Sequence, residues 1–207
     1  MTRVSRAAST AVLAMLLPAA LRAGGPDPGE GVRPDTSRPF GLVFDAQAEA
    51  HLSSPGTASQ GGYSYALGFG LSFSSRFQMS IHVCTGKEEI RPGPVKPVDG
   101  WLPMGGASIE ATLFLTSGPA VRPYGAAGYG LYTLNGGDGY NGWGAHCEAG
   151  VEWEFSSYVS VRGGVEYSVR RFHDPTGEAS QAAGFEPFTL HYFGAAIRCA
   201  FYPSVLP

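Results

Sequence analysis

The residues with the clearest catalytic potential are a histidine and a glutamate that stand two positions apart. A strand would place His146 and Glu148 on one face, and Ser80 and Ser168 fall on the corresponding face of other predicted strands. A serine, a histidine and an acid form a nucleophile and its base when they come within hydrogen-bond reach. The sequence has no G-x-S-x-G nucleophile elbow and no local His/Ser pattern of lipid-modifying enzymes. We therefore interpret these residues as structural and predict no enzymatic activity.

Histidine and cysteine side chains supply the nitrogen and sulfur ligands that zinc and copper prefer. The pattern places all five histidines in the outer half of the molecule: His51, His82, His146, His173 and His191. Cys84 lies two positions after His82, but no pair has a recognised ligand spacing. We interpret the histidines as rim residues and predict no cofactor, and metal binding at the rim stays an open question.

The largest group of chemically active residues consists of acids and arginines that share one face of the predicted strands. They are Asp45, Glu49, Glu110, Arg122, Glu148, Glu152, Glu154, Arg162, Glu166, Arg170 and Arg198. The opposite face of the same segments is apolar. Charges on the polar face need either water or each other, because an unpaired charge in an apolar environment is costly. We predict that they form a structural charge network.

Eight segments of alternating polarity carry these residues. They cover 40–51, 63–73, 77–83, 108–116, 121–134, 143–155, 159–170 and 188–202. Most are longer than an ordinary strand of about 5 to 6 residues, and a tilted strand that crosses a bilayer needs about 9 to 11. The upper half of the eighth segment is apolar on both faces, so its orientation is left open. The pattern predicts an all-β fold: an eight-stranded antiparallel up-and-down transmembrane β-barrel.

The connections between the segments alternate in length. The long ones are 52–62, 85–106, 135–142 and 171–187, and the short ones are 74–76, 116–120 and 156–158. This alternation is typical of barrels with long extracellular loops and short periplasmic turns. The 85–106 loop is the longest, and its prolines and Trp101 make it a candidate adhesin surface for an unknown extracellular ligand.

The solvation of the two faces decides which one meets lipid. A charge on the lipid-facing side costs a few kcal/mol at the bilayer midplane, so the charged face must line the lumen. An eight-stranded barrel is narrow enough for side chains to fill. The alternative is a soluble up-and-down barrel such as a lipocalin, which would carry a Lys/Glu-rich exterior. Glycines on the polar face, such as Gly68 and Gly128, suit a crowded lumen.

Composition agrees with this fold and excludes others. The 207 residues include 30 glycines and 16 prolines, and only 15% are charged. Typical proteins have about 25% charged residues, and helical bundles favour Ala, Leu, Glu and Lys. A net charge of -3 removes the electrostatic footprint of a nucleic-acid binder. Three cysteines make no disulfide framework, and Cys147 and Cys199 fall on the lipid face of non-neighbouring strands.

The chain divides into four predicted regions. Residues 1–23 have the charged start and short apolar run of a signal peptide, with cleavage after Ala20 or Ala23. Residues 24–39 are rich in glycine, proline and charged residues. This composition predicts a flexible periplasmic tail. Residues 40–202 form the barrel, and 203–207 form a short C-terminal tail.

Two segments carry a family resemblance. RPYGAAGYGLY (122–132) and YVSVRGGVEYSV (158–169), with the signal peptide and eight strands, resemble the OmpA-like outer-membrane β-barrel family. The resemblance implies a location in the outer membrane of a Gram-negative bacterium, with outer-membrane lipid and the barrel-assembly machinery as partners. We predict a non-enzymatic membrane scaffold or surface protein. The alternatives are a small-solute pore, an adhesin that uses the 85–106 loop and, last, a lipid-modifying enzyme.

Overall fold

The computed structural model describes residues 40–53, 59–90, 101–117, 120–134, 139–156, 158–175 and 187–203. The predicted signal peptide, the periplasmic tail and residues 204–207 lie outside these ranges. Within the ranges, no helix is long and apolar enough to cross a bilayer.

Eight antiparallel strands close into one barrel. They are β1 (Gly41–Ser53), β2 (Ser59–Ser72), β3 (Phe77–Ile90), β4 (Trp101–Phe114), β5 (Val121–Leu134), β6 (Tyr140–Glu154), β7 (Val159–Pro175) and β8 (Phe188–Phe201). Each strand pairs with the next along the chain, and β8 closes the barrel on β1, where Ala48 pairs with Ile197. The predicted fold class is confirmed.

The outer surface of the barrel is apolar and the lumen is polar over most of its length. Leu67 keeps 71% of its side-chain surface exposed, and Ile109 keeps 55%. Arg162 and Arg198, which point the other way, are at most 1% exposed. A soluble barrel would have its apolar side chains inside and its polar side chains outside, because exposing apolar surface to water is unfavourable. The exposed apolar belt therefore identifies a surface that meets lipid.

Two of the short turns are built from the same sequence pattern. In each, a serine follows an outward phenylalanine: Phe73-Ser74 and Phe155-Ser156. The Ser74 hydroxyl oxygen accepts a hydrogen bond from the Phe77 backbone N–H at 3.1 Å, and Ser156 does the same for Val159 at 3.1 Å. These side-chain bonds fix the turns and thereby the register of the strands that they join.

The extracellular ends of the strands extend further than the sequence pattern predicts. Residues 85–90 belong to β3 and residues 101–106 to β4, where Lys87 pairs with Pro103 and Glu89 with Trp101. The predicted 85–106 loop is therefore wrong at both ends, and only 91–100 lie outside the described strands. The outward side chains of this part include the polar Lys87 and Glu89, as expected for strand ends that rise above the hydrocarbon layer. The alternation of polarity that marks a strand inside the bilayer is lost there.

The other three long connections are corrected in the same way. β1 continues to Ser53, β2 begins at Ser59 and β6 begins at Tyr140. β7 continues to Pro175, so residues 171–175 are strand and not loop. Each predicted connection loses residues to its flanking strands, because the barrel wall rises beyond the lipid-facing belt.

Candidate functional site

The structure places all eleven predicted charged residues on the lumen side of the barrel. Ten of them are buried, and Glu154 keeps 13% side-chain exposure near the periplasmic end. All except Glu166 take part in three layers of contacts, which we call the periplasmic, central and upper networks. Sequence alternation could assign the face of each residue. It could not assign the partners, because most contacts join strands that are distant along the chain.

The periplasmic network is centred on Glu152. This carboxylate accepts hydrogen bonds from the Arg162 Nε–H at 3.1 Å and the Arg122 Nε–H at 3.0 Å. The Ser160 hydroxyl and the Tyr202 phenol also donate to it, at 2.7 and 2.9 Å. Two arginines and two hydroxyls replace the hydrogen bonds that water would give to this buried carboxylate. Such replacement is what allows a charged group to be buried.

Aromatic and amide side chains complete the periplasmic network. The Arg122 guanidinium lies 4.2 Å from the Phe114 ring centroid, and the Arg162 Nη2 group donates to the Gln78 side-chain oxygen at 2.7 Å. Arg122 also bonds the Ser75 carbonyl oxygen at 2.8 Å and Glu154 at 2.9 Å. The network therefore reaches the periplasmic turn and closes this end of the lumen.

The central network is held by Arg198 of β8. Its guanidinium forms a two-pronged contact with Glu110 of β4, at 2.5 and 2.9 Å to the two carboxylate oxygens. It also contacts Glu148 at 3.3 Å and the Gln47 side-chain oxygen at 2.9 Å. The Tyr124 hydroxyl donates to Glu148 from β5. One arginine thus contacts three other strands across the lumen, and its contact with Glu110 has the planar geometry that suits guanidinium and carboxylate.

Two histidines join carboxylates of the middle layer. His82 Nε2 lies 3.1 Å from an Asp45 oxygen, and His146 Nε2 lies 3.3 Å from a Glu110 oxygen. His82 was predicted in the outer half, which is wrong. It lies closer to the periplasmic end of β3, since that strand continues to Ile90.

Glycine makes room for one of these imidazole rings. Gly68 pairs with His82 across β2 and β3, and a methyl group at Gly68 would overlap the ring and the Asp45 carboxylate. The histidine–aspartate contact therefore depends on the absence of a side chain at this position, which is the crowding predicted for the polar face.

The upper network is centred on His51 and Arg170. The His51 Nδ1 atom lies 3.1 Å from a Glu49 oxygen, and its Nε2 atom lies 2.8 Å from a Glu88 oxygen. Arg170 lies 3.5 Å from Glu88 and is sandwiched between two aromatic rings, 4.7 Å from Tyr132 and 4.8 Å from Tyr192. A guanidinium between ring faces gains cation–π attraction.

Glu88 was missed by the sequence analysis because it fell in the predicted 85–106 loop. It is completely buried, and it faces the lumen like Ser80 and His82. Glu88 is an even number of residues from Ser80 and His82, so a strand places all three side chains on the same face. Continuing the alternation of the third segment beyond Val83 would therefore have found Glu88. The outward Lys87 and Glu89 on either side hid the pattern.

Above the upper network the lumen becomes apolar. Eight buried side chains form a cluster that we call the extracellular cap: Leu102, Met104, Tyr132, Leu134, Tyr140, Phe172, Leu190 and Tyr192. Phe188 packs against it with its ring stacked on Phe172 at 5.3 Å between centroids. No polarity contrast marked these positions, because several lay in predicted loops and the eighth segment is apolar on both faces there.

A small polar cavity lies between the central and upper networks. Its volume is about 30 Å³, and its walls include Glu49, His82, Ser108, Glu110, His146 and Glu166. One water needs at least about 10 to 15 Å³ of such space, so the cavity has room for about two waters. The walls are polar enough to bind them.

Two of the residues with catalytic potential, Ser168 and His146, lie on neighbouring strands. Ser168 pairs with His146 across β6 and β7, and His146 contacts Glu110. The buried Ser168 hydroxyl has no hydrogen-bond partner among the described residues. A serine nucleophile requires a bond to its base, which this pair lacks. Ser80 accepts a hydrogen bond from the Gln78 side chain at 2.8 Å.

Metal ligands and cysteines were the remaining candidates. The described strands and turns hold no group of three His, Cys, Asp or Glu side chains that could bind a metal ion. Cys147 and Cys199 are free thiols exposed on the lipid-facing surface, with β7 between their strands. Cys84 is half-buried and packs against the extracellular cap.

Solved structures share this architecture. Neisserial surface protein A is 16% identical, with a TM-score of 0.51, over 83% of this chain and 99% of its own. OprG, an outer membrane protein of Pseudomonas aeruginosa, is 12% identical over 79% of this chain and 95% of its own, with a TM-score of 0.49. No protein-family model matches the sequence, and neither does any curated protein.

The protein is an outer-membrane β-barrel. Its closed eight-stranded fold is shared with Neisserial surface protein A, and its exposed apolar belt requires a bilayer. Both observations agree with the predicted location in the outer membrane of a Gram-negative bacterium. The finer resemblance to the OmpA-like family remains a prediction, because a likeness at this level of identity identifies the fold alone.

Proposed function

We propose that this barrel is a non-conducting, non-enzymatic scaffold that presents its extracellular strand ends and loops at the cell surface, and that it is related to the OmpA-like barrels. One observation carries the proposal: side chains occupy the lumen from the periplasmic network to the extracellular cap. In the described part of the lumen, the cavity between them has a volume of about 30 Å³, which is room for about two waters.

The cost of opening this lumen supports the closed state. A solute that passes the central layer must separate Arg198 from Glu110 and Glu148, all of which are buried. Removing one partner from a buried ion pair typically costs about 3 to 5 kcal/mol. The extracellular cap is a second barrier of different chemistry, because an ion would have to cross an apolar layer. These two barriers disfavour the small-solute pore.

Fewer residues are available for the adhesin alternative than the sequence predicted. Any contact with an extracellular ligand would use residues 91–100 or the outward ends of the strands, and not the whole of 85–106. The half-exposed Trp101 is one such contact, and its ring lies 5.9 Å from that of Tyr63. A lipid-modifying activity stays last, because Ser168 has no bond to His146. Mass analysis of lipid A from cells with and without the protein tests that activity.

Swelling of proteoliposomes in isotonic sugar solution tests the closed lumen. We expect vesicles that contain the folded barrel to swell no faster than empty vesicles. Folding is checked in the same vesicles by the difference in gel mobility between boiled and unboiled samples. Swelling that rises with the amount of folded protein would contradict the proposal and favour the small-solute pore.

A further inference from the structure

The outward surface of β7 and β8 carries basic side chains at its extracellular end. Arg171 is exposed on the lipid-facing side of β7, where it pairs with Trp143 of β6 and Thr189 of β8. His191 lies two residues beyond Thr189 on the same face, so its side chain is a diagonal neighbour of Arg171. We call Arg171, His191, Trp143 and Tyr167 the outer basic patch.

Aromatic contacts define the depth of the patch in the membrane. The Tyr167 hydroxyl lies 2.9 Å from His191 Nδ1, and Trp143 stacks on Tyr129 with 6.0 Å between ring centroids. Tyrosine and tryptophan prefer the boundary between hydrocarbon and headgroups. Arg171 is four residues further along β7 than Tyr167, towards the extracellular end. We therefore expect the guanidinium to lie at the level of the headgroups.

The charge environment of Arg171 differs from that of the lumen arginines. Each inward arginine contacts a carboxylate, but Arg171 has no acidic partner within 4 Å among the described residues. The nearby His173 contacts Asp174 at 3.2 Å and adds little net charge. The whole chain has a net charge of -3, so the positive charge of this surface is a local feature.

The opposite side of the barrel offers a comparison at a similar level. Lys87 of β3 is exposed and outward, beside Tyr63 of β2. Glu89 follows two residues later on the same face, and it supplies a negative charge there. That side has a balanced pair of charges, whereas the outer basic patch has a cation above an aromatic belt.

We propose that the outer basic patch binds a phosphate group of the glycolipid that forms the outer leaflet of the outer membrane. Guanidinium matches the geometry of phosphate oxygens and forms charge-assisted hydrogen bonds with them. The Trp143 and Tyr167 rings lie below and would pack against the first methylenes of the acyl chains. The inference rests on the outer-membrane location and the extracellular direction of the strand ends. It does not depend on whether the lumen conducts.

Binding of fluorescent lipopolysaccharide to the folded barrel in neutral detergent micelles tests this site. The variant Arg171→Gln with His191→Gln removes the charge of the patch and keeps hydrogen-bonding side chains. We expect its affinity for lipopolysaccharide to fall about tenfold, because charge-assisted bonds to phosphate are lost. Lys87→Gln is the matched control, and we expect it to bind like the wild type. The gel-mobility shift on boiling confirms that each variant is folded.

Two further probes identify the source of the phosphate. Enzymatically dephosphorylated lipopolysaccharide should bind the wild type about as weakly as intact lipopolysaccharide binds the double variant. Phosphatidylglycerol should compete poorly with lipopolysaccharide. Equal affinity of the wild type and the double variant would overturn the proposal, and so would an equal loss in Lys87→Gln. Equal binding of phosphatidylglycerol would show that the site does not select the glycolipid.

Discussion

The two halves of the lumen are filled in different ways. The periplasmic, central and upper networks consist of buried charges whose partners are fixed by direction and distance, whereas the extracellular cap is a small apolar core. Ion pairs and hydrogen bonds are satisfied in one arrangement only, so a slip of one strand would leave charges unpaired. Apolar packing depends on volume and tolerates rearrangement. The comparison suggests that the polar half specifies the register of the barrel and the apolar half seals its outer end.

The largest effect is expected in the polar half. Glu152→Ala would leave Arg122 and Arg162 buried without their shared carboxylate, and we expect a loss of about 3 to 5 kcal/mol in the free energy of unfolding. Urea unfolding in lipid vesicles, followed by the gel-mobility shift, measures it. Glu154→Gln is the control, since Glu154 contacts Arg122 but is partly exposed. Equal losses in the two variants would show that burial of the pair is not what matters.

A loss of similar or smaller size is expected in the extracellular cap, with a different dependence on chemistry. Leu190 is completely buried, and Leu190→Ala should cost about 2 to 4 kcal/mol through lost contacts and a cavity. Leu190→Met conserves volume and should cost less than about 1.5 kcal/mol. The same urea titration compares them. If methionine is as damaging as alanine, the cap requires a specific shape, and the contrast with the polar half disappears.

A smaller effect is expected where the backbone makes room for a histidine. Gly68→Ala would push a methyl group into the His82 ring, and we expect a loss of about 1 to 3 kcal/mol. At Gly125, the nearest atom to an added Cβ would be the Glu148 backbone oxygen at 3.9 Å, so Gly125→Ala is the matched control. A wild-type unfolding midpoint for Gly68→Ala would mean that the ring moves without cost.

The fold could be predicted from the sequence because successive residues of a strand in a bilayer face the lipid and the lumen in turn. The polarity of the residues therefore alternates along the strand. Leu67 and Ile81 face lipid and must be apolar, whereas Ser80 and His82, on either side of Ile81, face the lumen. The same rule fails above the bilayer, where the outward Lys87 and Glu89 face water or headgroups. For this reason the pattern stopped at Val83 although β3 continues to Ile90.

The candidate site could be predicted only in part, and the reason is geometric. Alternation assigned Arg198 and Glu110 to the lumen, but their contact depends on the stagger of strands around the closed barrel. Arg198 and Gln47 are 151 positions apart and meet only because β8 closes on β1. The cap was missed because Leu102 and Met104 lay in a predicted loop. No local signal in the sequence separates a loop leucine from one that seals a lumen.

Single-channel recording across a planar lipid bilayer tests the closed lumen most directly. The wild type should show no conductance steps, because the ion-pair networks and the extracellular cap both block the path. A variant that carries Arg162→Ala, Arg198→Ala and Leu190→Ala weakens the periplasmic, central and outer barriers together, and it should show small steps if the gel-mobility shift shows that it is folded. Reproducible steps in the folded wild type, of the same size as in this variant, would contradict the account.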